Sequence, residues 1–180
     1  KQKFFSTIYN IYSFFVLYAN IDSFTYNEGA IAIDDRPVLD RWILSELNTL
    51  ILDVDSYYSK YEPTLVGRAI QSFVVDKLSN WYVRLCRRRF WKGLYDDNKI
   101  SAYQTLYDCL VTVTKLSSPI APFFMDRLFC DLNSVTKKEL VESIHLSDFP
   151  NTKDLFRDPS LEKKMRLTKN VCSLALSLRK

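Results

Sequence analysis

Hydrophobic residues recur along this chain at spacings of three and four, in stretches separated by proline and short polar runs. That is the pattern of helices packed on one another. Residues 4–21 carry no charge. Ser6, Thr7, Asn10 and Ser13 share one side of a helical wheel, while Phe4, Phe5, Ile8, Tyr12, Phe15 and Val16 lie largely elsewhere. The segment therefore reads as an amphipathic core helix, without the pattern of a signal peptide or membrane span. Pro37 opens a long helix with an inner face of Leu39, Ile43, Leu47, Leu50, Val54, Tyr57 and Tyr61. Glu62-Pro63-Thr64 closes it, and Thr64 is expected to cap the next helix, which runs to about Trp91. On a wheel the core face of that helix is Ile70, Val74, Leu78, Trp81 and Leu85.

Residues 92–98, with a glycine and two adjacent aspartates, are expected to be a loop. Ser101 with Gln104 has the form of a capping box for a helix ending near Ser117-Ser118. Pro119 and Pro122 break the chain and start a short helix through Leu132, and Thr136 with Glu139 predicts one more small turn of helix. Residues 143–159 look irregular. Asp158 and Pro159 then form an N-cap and first-turn pair for a helix with Leu161, Met165, Thr168, Val171 or Cys172, Ala175 and Leu178 in register. The expected fold is all-α, an antiparallel bundle of four or five helices. The first and last helices are entered and left mid-pattern, so a piece of a longer protein is expected.

Composition agrees with helices. The 180 residues include three glycines, and barrels and sandwiches consume many more at their turns. Hydrophobic residues at 47% and aromatics at 14% supply a core, and 26% charged residues argue against disorder. The length suits one domain with a short appendage. The four cysteines lie far apart and on apolar stripes, so zinc knuckles and redox dithiols are not indicated and buried free thiols are expected. His145 is the sole histidine, with no nucleophile elbow near it. Asp34-Asp35 and Asp96-Asp97 read as solvated turns. No catalytic residue, metal ligand or phosphate-cradling glycine loop is expected.

One region has unusual charge. Residues 77–95 hold Lys77, Arg84, Arg87, Arg88, Arg89 and Lys92 and no acid; against a chain total of +4, the remainder nets −2. Asp76, Asn80, Arg84, Arg87 and Trp91 follow one another along the edge of the core face. A solvated helix end with an Asp76 ion pair to Arg84 or Arg87 is one reading, favoured in part by the helix macrodipole. Nucleic-acid binding is another, because guanidinium forks match phosphates and Phe90, Trp91 and Tyr95 can stack on bases. A basic helix can also meet an acidic protein surface.

Whole phrases narrow these alternatives. Asp40-Arg-Trp-Ile-Leu-Ser-Glu-Leu-Asn48, Tyr61-Glu-Pro-Thr-Leu-Val-Gly-Arg-Ala-Ile70 and Asn80-Trp-Tyr-Val-Arg-Leu-Cys-Arg-Arg-Arg-Phe-Trp91 occur in that order. Ala102-Tyr-Gln-Thr-Leu-Tyr107, Ser118-Pro-Ile-Ala-Pro-Phe123 and Ile144-His-Leu-Ser-Asp-Phe-Pro150 follow. Together they resemble the helical anticodon-binding region of class I (class Ia) aminoacyl-tRNA synthetases. The Ser118 phrase is shared with valyl and leucyl enzymes, whereas the Asp40 and Asn80 phrases together are most similar to isoleucyl-tRNA synthetases.

That resemblance implies a module, over residues 1–150, that holds the anticodon stem-loop of tRNA(Ile). Residues 1–20 would be a junction helix from a catalytic body, and residues 151–180 a linker and the start of a C-terminal region. The parent enzyme would be a cytoplasmic ligase charging tRNA(Ile) with isoleucine, using ATP and Mg in its catalytic domain and editing in another. The ATP-handling signatures of that body do not occur here, so no cofactor is expected in this chain. The residues expected to approach RNA are Arg84, Arg87, Arg88, Arg89, Trp91 and Lys92. Arg84 is expected to be partly structural, and Arg87, Arg88 and Arg89 to be solvated. The equivalent domain of a valyl enzyme, or a non-catalytic protein-interaction bundle, remains the alternative.

Overall fold

The computed structural model describes residues 2–178 apart from 93 and 154, so the glycine of the expected 92–98 loop lies outside the described residues. Six helical rods form the bundle among the described residues. Helix α1 is Gln2–Ile21 and α2 is Val38–Ser59. The third rod is continuous: α3 (Pro63–Ser72), a wider π-helical segment (Phe73–Val83) and α4 (Arg84–Trp91). Helix α5 is Asp97–Ser117, α6 is Pro122–Thr136 and α7 is Pro159–Leu178, with single 3-10 turns at Ile33–Asp35 and Ile144–Leu146. No strand occurs among the described residues, and no helix there is long and apolar enough to cross a membrane.

Helix α5 is the centre. Tyr103, Leu106, Leu110, Val113 and Leu116 have no exposed surface, and its polar Ser101, Gln104, Thr105 and Thr114 are buried as well. Helix α2 packs on the third rod and on α5, α1 on the π segment and α5, and α6 on α5. Ile8, Ile11, Phe15 and Ala19 form the buried stripe of α1. Helix α7 begins as its sequence predicts: Asp158 accepts the Leu161 N–H at 2.9 Å, and Leu161 and Met165 pack against the core. Beyond them Val171, Leu174 and Leu178 are exposed.

Several expectations are corrected. Tyr61 is 91% exposed rather than on the inner face of α2, because the helix stops at Ser59 and Tyr61 turns left-handed at φ 57°. The next helix starts at Pro63, so Thr64 lies inside its first turn and caps nothing. Ser101 and Gln104 form no capping box. Helix α5 begins earlier, with Asp96 accepting the Lys99 N–H at 2.9 Å, which leaves both residues free for long-range bonds. Helix α6 continues to Thr136 and ends on left-handed Lys137. No helix follows from Thr136 and Glu139: Glu139 pairs with Lys115 at 2.6 Å, and Ser143 starts the next turn. Cys86 and Cys109 are buried free thiols as expected, but Cys130 is only half-buried and Cys172 is exposed.

Candidate nucleic-acid interface

The third rod carries the basic residues, and its π segment decides which way they point. A π turn closes i→i+5 bonds and takes in more residues than an α turn. Across Phe73–Val83 the buried stripe therefore advances in steps of four: Ile70, Val74, Leu78, Tyr82, Cys86, Phe90, each at 2% exposure or less. An ordinary helix would have brought in Trp81 and Leu85. Trp81 is instead half-buried and Leu85 is 50% exposed.

The same rotation turns Arg89 inward. Asp40 lies in the first turn of α2 with no exposed surface. It accepts four hydrogen bonds: from the Tyr82 hydroxyl at 2.9 Å, the Ser101 hydroxyl at 2.5 Å, and Arg89 through Nη1 at 2.6 Å and Nη2 at 2.8 Å. Arg89 Nη2 also donates to the Asn98 carbonyl at 2.6 Å. One carboxylate thus ties α2, the π segment, α4 and α5 together through a planar fork. Burial opposes the charge on Arg89, but the Asp40 hydrogen bonds and negative charge outweigh it and hold the guanidinium above its ordinary range. Burial, reinforced by the nearby carboxylate, pushes the Tyr82 hydroxyl well up, so it stays a donor. The expectation that Arg89 is solvated is corrected here. Its side chain is 17% exposed and its Nε is buried, so it has little left to offer a phosphate.

Lys77 is neutralised in the same way by α2, meeting Glu46 at 2.5 Å while Trp42 Nε1 donates to that carboxylate at 3.1 Å. Two of the six cations are therefore internal ties. Arg84, Arg87, Arg88 and Lys92 remain exposed. No ion pair joins Asp76 to Arg84 or Arg87 among the described residues; Asp76 accepts from Ser72 at 3.3 Å. The Arg87 guanidinium lies 5.9 Å from the Phe14 ring centroid, a contact that leaves its donors free. Trp91 is 58% exposed beside these cations. Of the other expected stacking residues, Phe90 is core and the Tyr95 hydroxyl is bonded to Glu28.

Sequence reasoning missed a groove next to this end. Asp76, Asn80, Trp81, Arg84 and Leu85 of the rod face Lys169, Ser173 and Leu176 of α7 across a volume of about 790 Å³. Helix α7 is held there from its first turns. Glu162 accepts from Ser45 at 2.5 Å and Thr49 at 3.0 Å, and the Asp158 N–H donates to Ser45 at 2.8 Å. Asn80 was already expected at the edge of the core face; the π register, which no local pattern announces, takes Trp81 out of that face beside it.

The buried polar residues of α5 position the 22–37 connection. Gln104 accepts the Ile31 N–H and donates to the Gly29 carbonyl, while Arg36 donates to Thr105 at 2.9 Å. Asp22 takes both the Tyr103 hydroxyl at 2.5 Å and the Lys99 ammonium at 2.6 Å. No group of three or more His, Cys, Asp or Glu side chains is placed to hold a metal among the described residues. What the geometry offers is binding: four free cations and an indole on one helix end, with a mixed groove beside them.

Known proteins carry similar sequences. The chain is 58% identical over all 180 residues to a protein of Cytophaga hutchinsonii named isoleucine--tRNA ligase. It is 54% identical over its full length to the protein of that name in Bacteroides thetaiotaomicron, and 49% identical over 178 residues to that of Dehalococcoides mccartyi. It spans 16% of the length of the first two and 17% of the third. Residues 40–180 match the family described as the anticodon-binding domain of tRNA ligase. The chain belongs to that family: this all-helical bundle is an anticodon-binding domain of the tRNA ligases.

Proposed function

We propose that the chain holds the anticodon stem-loop of tRNA(Ile) within a longer isoleucine–tRNA ligase, whose catalytic and editing parts act on the distant acceptor end. The observation that carries this is the sorting of the six cations. The acids of α2 take up Lys77 and Arg89, leaving Arg84, Arg87, Arg88, Lys92 and Trp91 outward on a braced helix end. Four cations in no ion pair among the described residues suit closely spaced phosphates, and an exposed indole suits an unpaired base. Arg89 acts as a positioning residue, holding the turns that carry Arg87, Arg88 and Trp91. The names of the relatives favour isoleucine over valine. ATP and Mg serve the catalytic part of the longer protein, which works in the cytoplasm. The bundle contributes binding and no bond-making step. Residues 1–150 form the docking module, and residues 151–180 lead into the region that follows it.

The test is a competition between two RNAs of equal length, an anticodon stem-loop and an acceptor-arm minihelix, for the purified chain. Preference for the stem-loop supports the reading. Equal affinity reduces the surface to an unspecific polycation binder.

A further inference from the structure

A second hollow, of about 440 Å³, lies between α1, α3 and the turn that follows α5. Phe4, Phe5, Ile70 and Ile120 are its apolar walls, and Gly67 and Ser117 belong to the same lining. Gly67 sits inside α3, where glycine weakens a helix relative to alanine. Nothing in the fold of the chain calls for it: a Cβ at Gly67 would meet no atom within 4 Å. A glycine that leaves room its own fold does not use suits the close approach of another group. The Ser117 hydroxyl is unused as well. It is buried and has no hydrogen-bond partner among the described residues. A buried polar atom in that state calls for a partner, and rotation about one bond can aim a serine hydroxyl at a group entering the hollow. Phe5 and Ile120 are exposed at the rim, and Phe123 just beyond them is almost wholly so.

Resting on the reading that the chain works inside a longer ligase, we infer that this hollow is a socket for the part of that protein joined ahead of α1. That part seats an apolar side chain against Gly67 and hydrogen-bonds Ser117. Two observations select this occupant. The chain spans 16% of the length of two of its relatives, so most of a protein of that kind lies outside it. Phe4 and Phe5 stand in the first turn of α1, so a segment joined ahead of that helix emerges at the rim and needs no long connection to reach the hollow. The aromatic and aliphatic walls suit a Phe, Leu or Ile side chain, whose burial drives the docking. The socket is remote from the basic end. Gly67 and Arg84 are 17 residues apart on the third rod, about 20 Å or more at about 1.5 Å per residue. Docking and RNA binding can therefore be perturbed separately.

The test is hydroxyl-radical footprinting of Phe5 and Ile120 in the isolated chain and in the full-length ligase that contains it. Both side chains should be oxidised readily in the chain and several-fold more slowly in the ligase. Gly67→Leu begins to fill the hollow from a position where a Cβ meets nothing. In the chain it should leave melting unchanged or raise it by about 1–4 °C, because leucine favours helix over glycine. In the ligase it should return the oxidation of Phe5 and Ile120 to the rate seen in the chain alone. Gly67→Ala, a smaller filling, should raise the melting of the chain and restore only part of that oxidation. Stem-loop binding by the Gly67→Leu chain should stay as it was. Equal footprints in chain and ligase, or protection in the ligase that survives Gly67→Leu, overturn the socket. So does protection in the isolated chain that grows with its concentration, which would seat a second copy there. Weaker stem-loop binding by the Gly67→Leu chain would give the hollow to RNA and overturns it too. Failure of the unaltered chain to bind the stem-loop overturns the RNA reading alone, while the footprints still decide the socket.

Discussion

Arg89→Ala separates an internal tie from exposed cations within a run of three arginines. In the folded chain Asp40 is wholly buried and takes two of its four hydrogen bonds from Arg89. Removing the guanidinium leaves a buried carboxylate with only the Tyr82 and Ser101 hydroxyls. Breaking a buried ion pair from one side costs about 3–5 kcal/mol. At about 2–4 °C per kcal/mol for a chain of this size, the melting temperature should fall by about 6–20 °C. Arg88→Ala removes an exposed cation worth about 0–1 kcal/mol and should shift melting by no more than about 4 °C. Arg89→Lys keeps the charge and loses the fork, so it should fall between the two. Adding Asp40→Asn to Arg89→Ala removes the stranded charge and should recover part of the loss, giving a coupling of about 0.5–3 kcal/mol. Thermal unfolding followed by far-ultraviolet circular dichroism reads these four variants and Asp40→Asn alone, which completes the cycle. Equal, small shifts for Arg88→Ala and Arg89→Ala would refute the reasoning, because the Asp40 hub would then carry no stability.

Two further predictions concern the thiols and alkaline pH. A thiol reagent should modify Cys172 at once and Cys130 more slowly, while Cys86 and Cys109 should react only as the chain unfolds; mass spectrometry of timed samples checks this, and early labelling of Cys86 would contradict the packing of α4. Burial pushes the Cys86 thiol from an ordinary 9.0 up to about 11, and the Tyr58 hydroxyl from 10.0 up to about 12. Both groups are neutral when folded and would ionise first in the unfolded chain, so their stabilisation is complete below pH 9 and is lost as pH rises through 9–12. Denaturant midpoints measured from pH 8 to pH 11 should decline, and a flat profile would mean that these groups titrate alike in both states.

Helix boundaries were legible where their cause is local. Pro37, Pro63, Pro122 and the Asp158-Pro159 pair fix φ or supply a cap within one turn, so the chain itself carries the information. What could not be read depends on partners distant in sequence. The Ser101–Gln104 spacing imitates a capping box, yet Ser101 donates to Asp40 and Gln104 to Gly29, residues that only the tertiary fold brings near. The π segment is the larger lesson. No residue between Phe73 and Val83 announces a wider turn, yet that turn takes Trp81 and Leu85 out of the core face, brings in Tyr82 and Cys86, and turns Arg89 onto Asp40. The basic region was plain from charge alone. Which of its cations are free was not, because that follows from the rotation of the helix and from two acids of α2.

The salt dependence of RNA binding tests the central claim most directly. Affinity for the anticodon stem-loop should be measured across low to moderate salt for the unaltered chain and for the Arg87→Ala/Arg88→Ala/Lys92→Ala variant, whose melting temperature serves as a control. With three phosphate contacts removed, at about 0.7–0.9 per contact, the slope of log affinity against log salt should shrink by about 2–3 while melting barely moves. An unchanged slope would contradict the account and place the RNA-binding face elsewhere on the bundle.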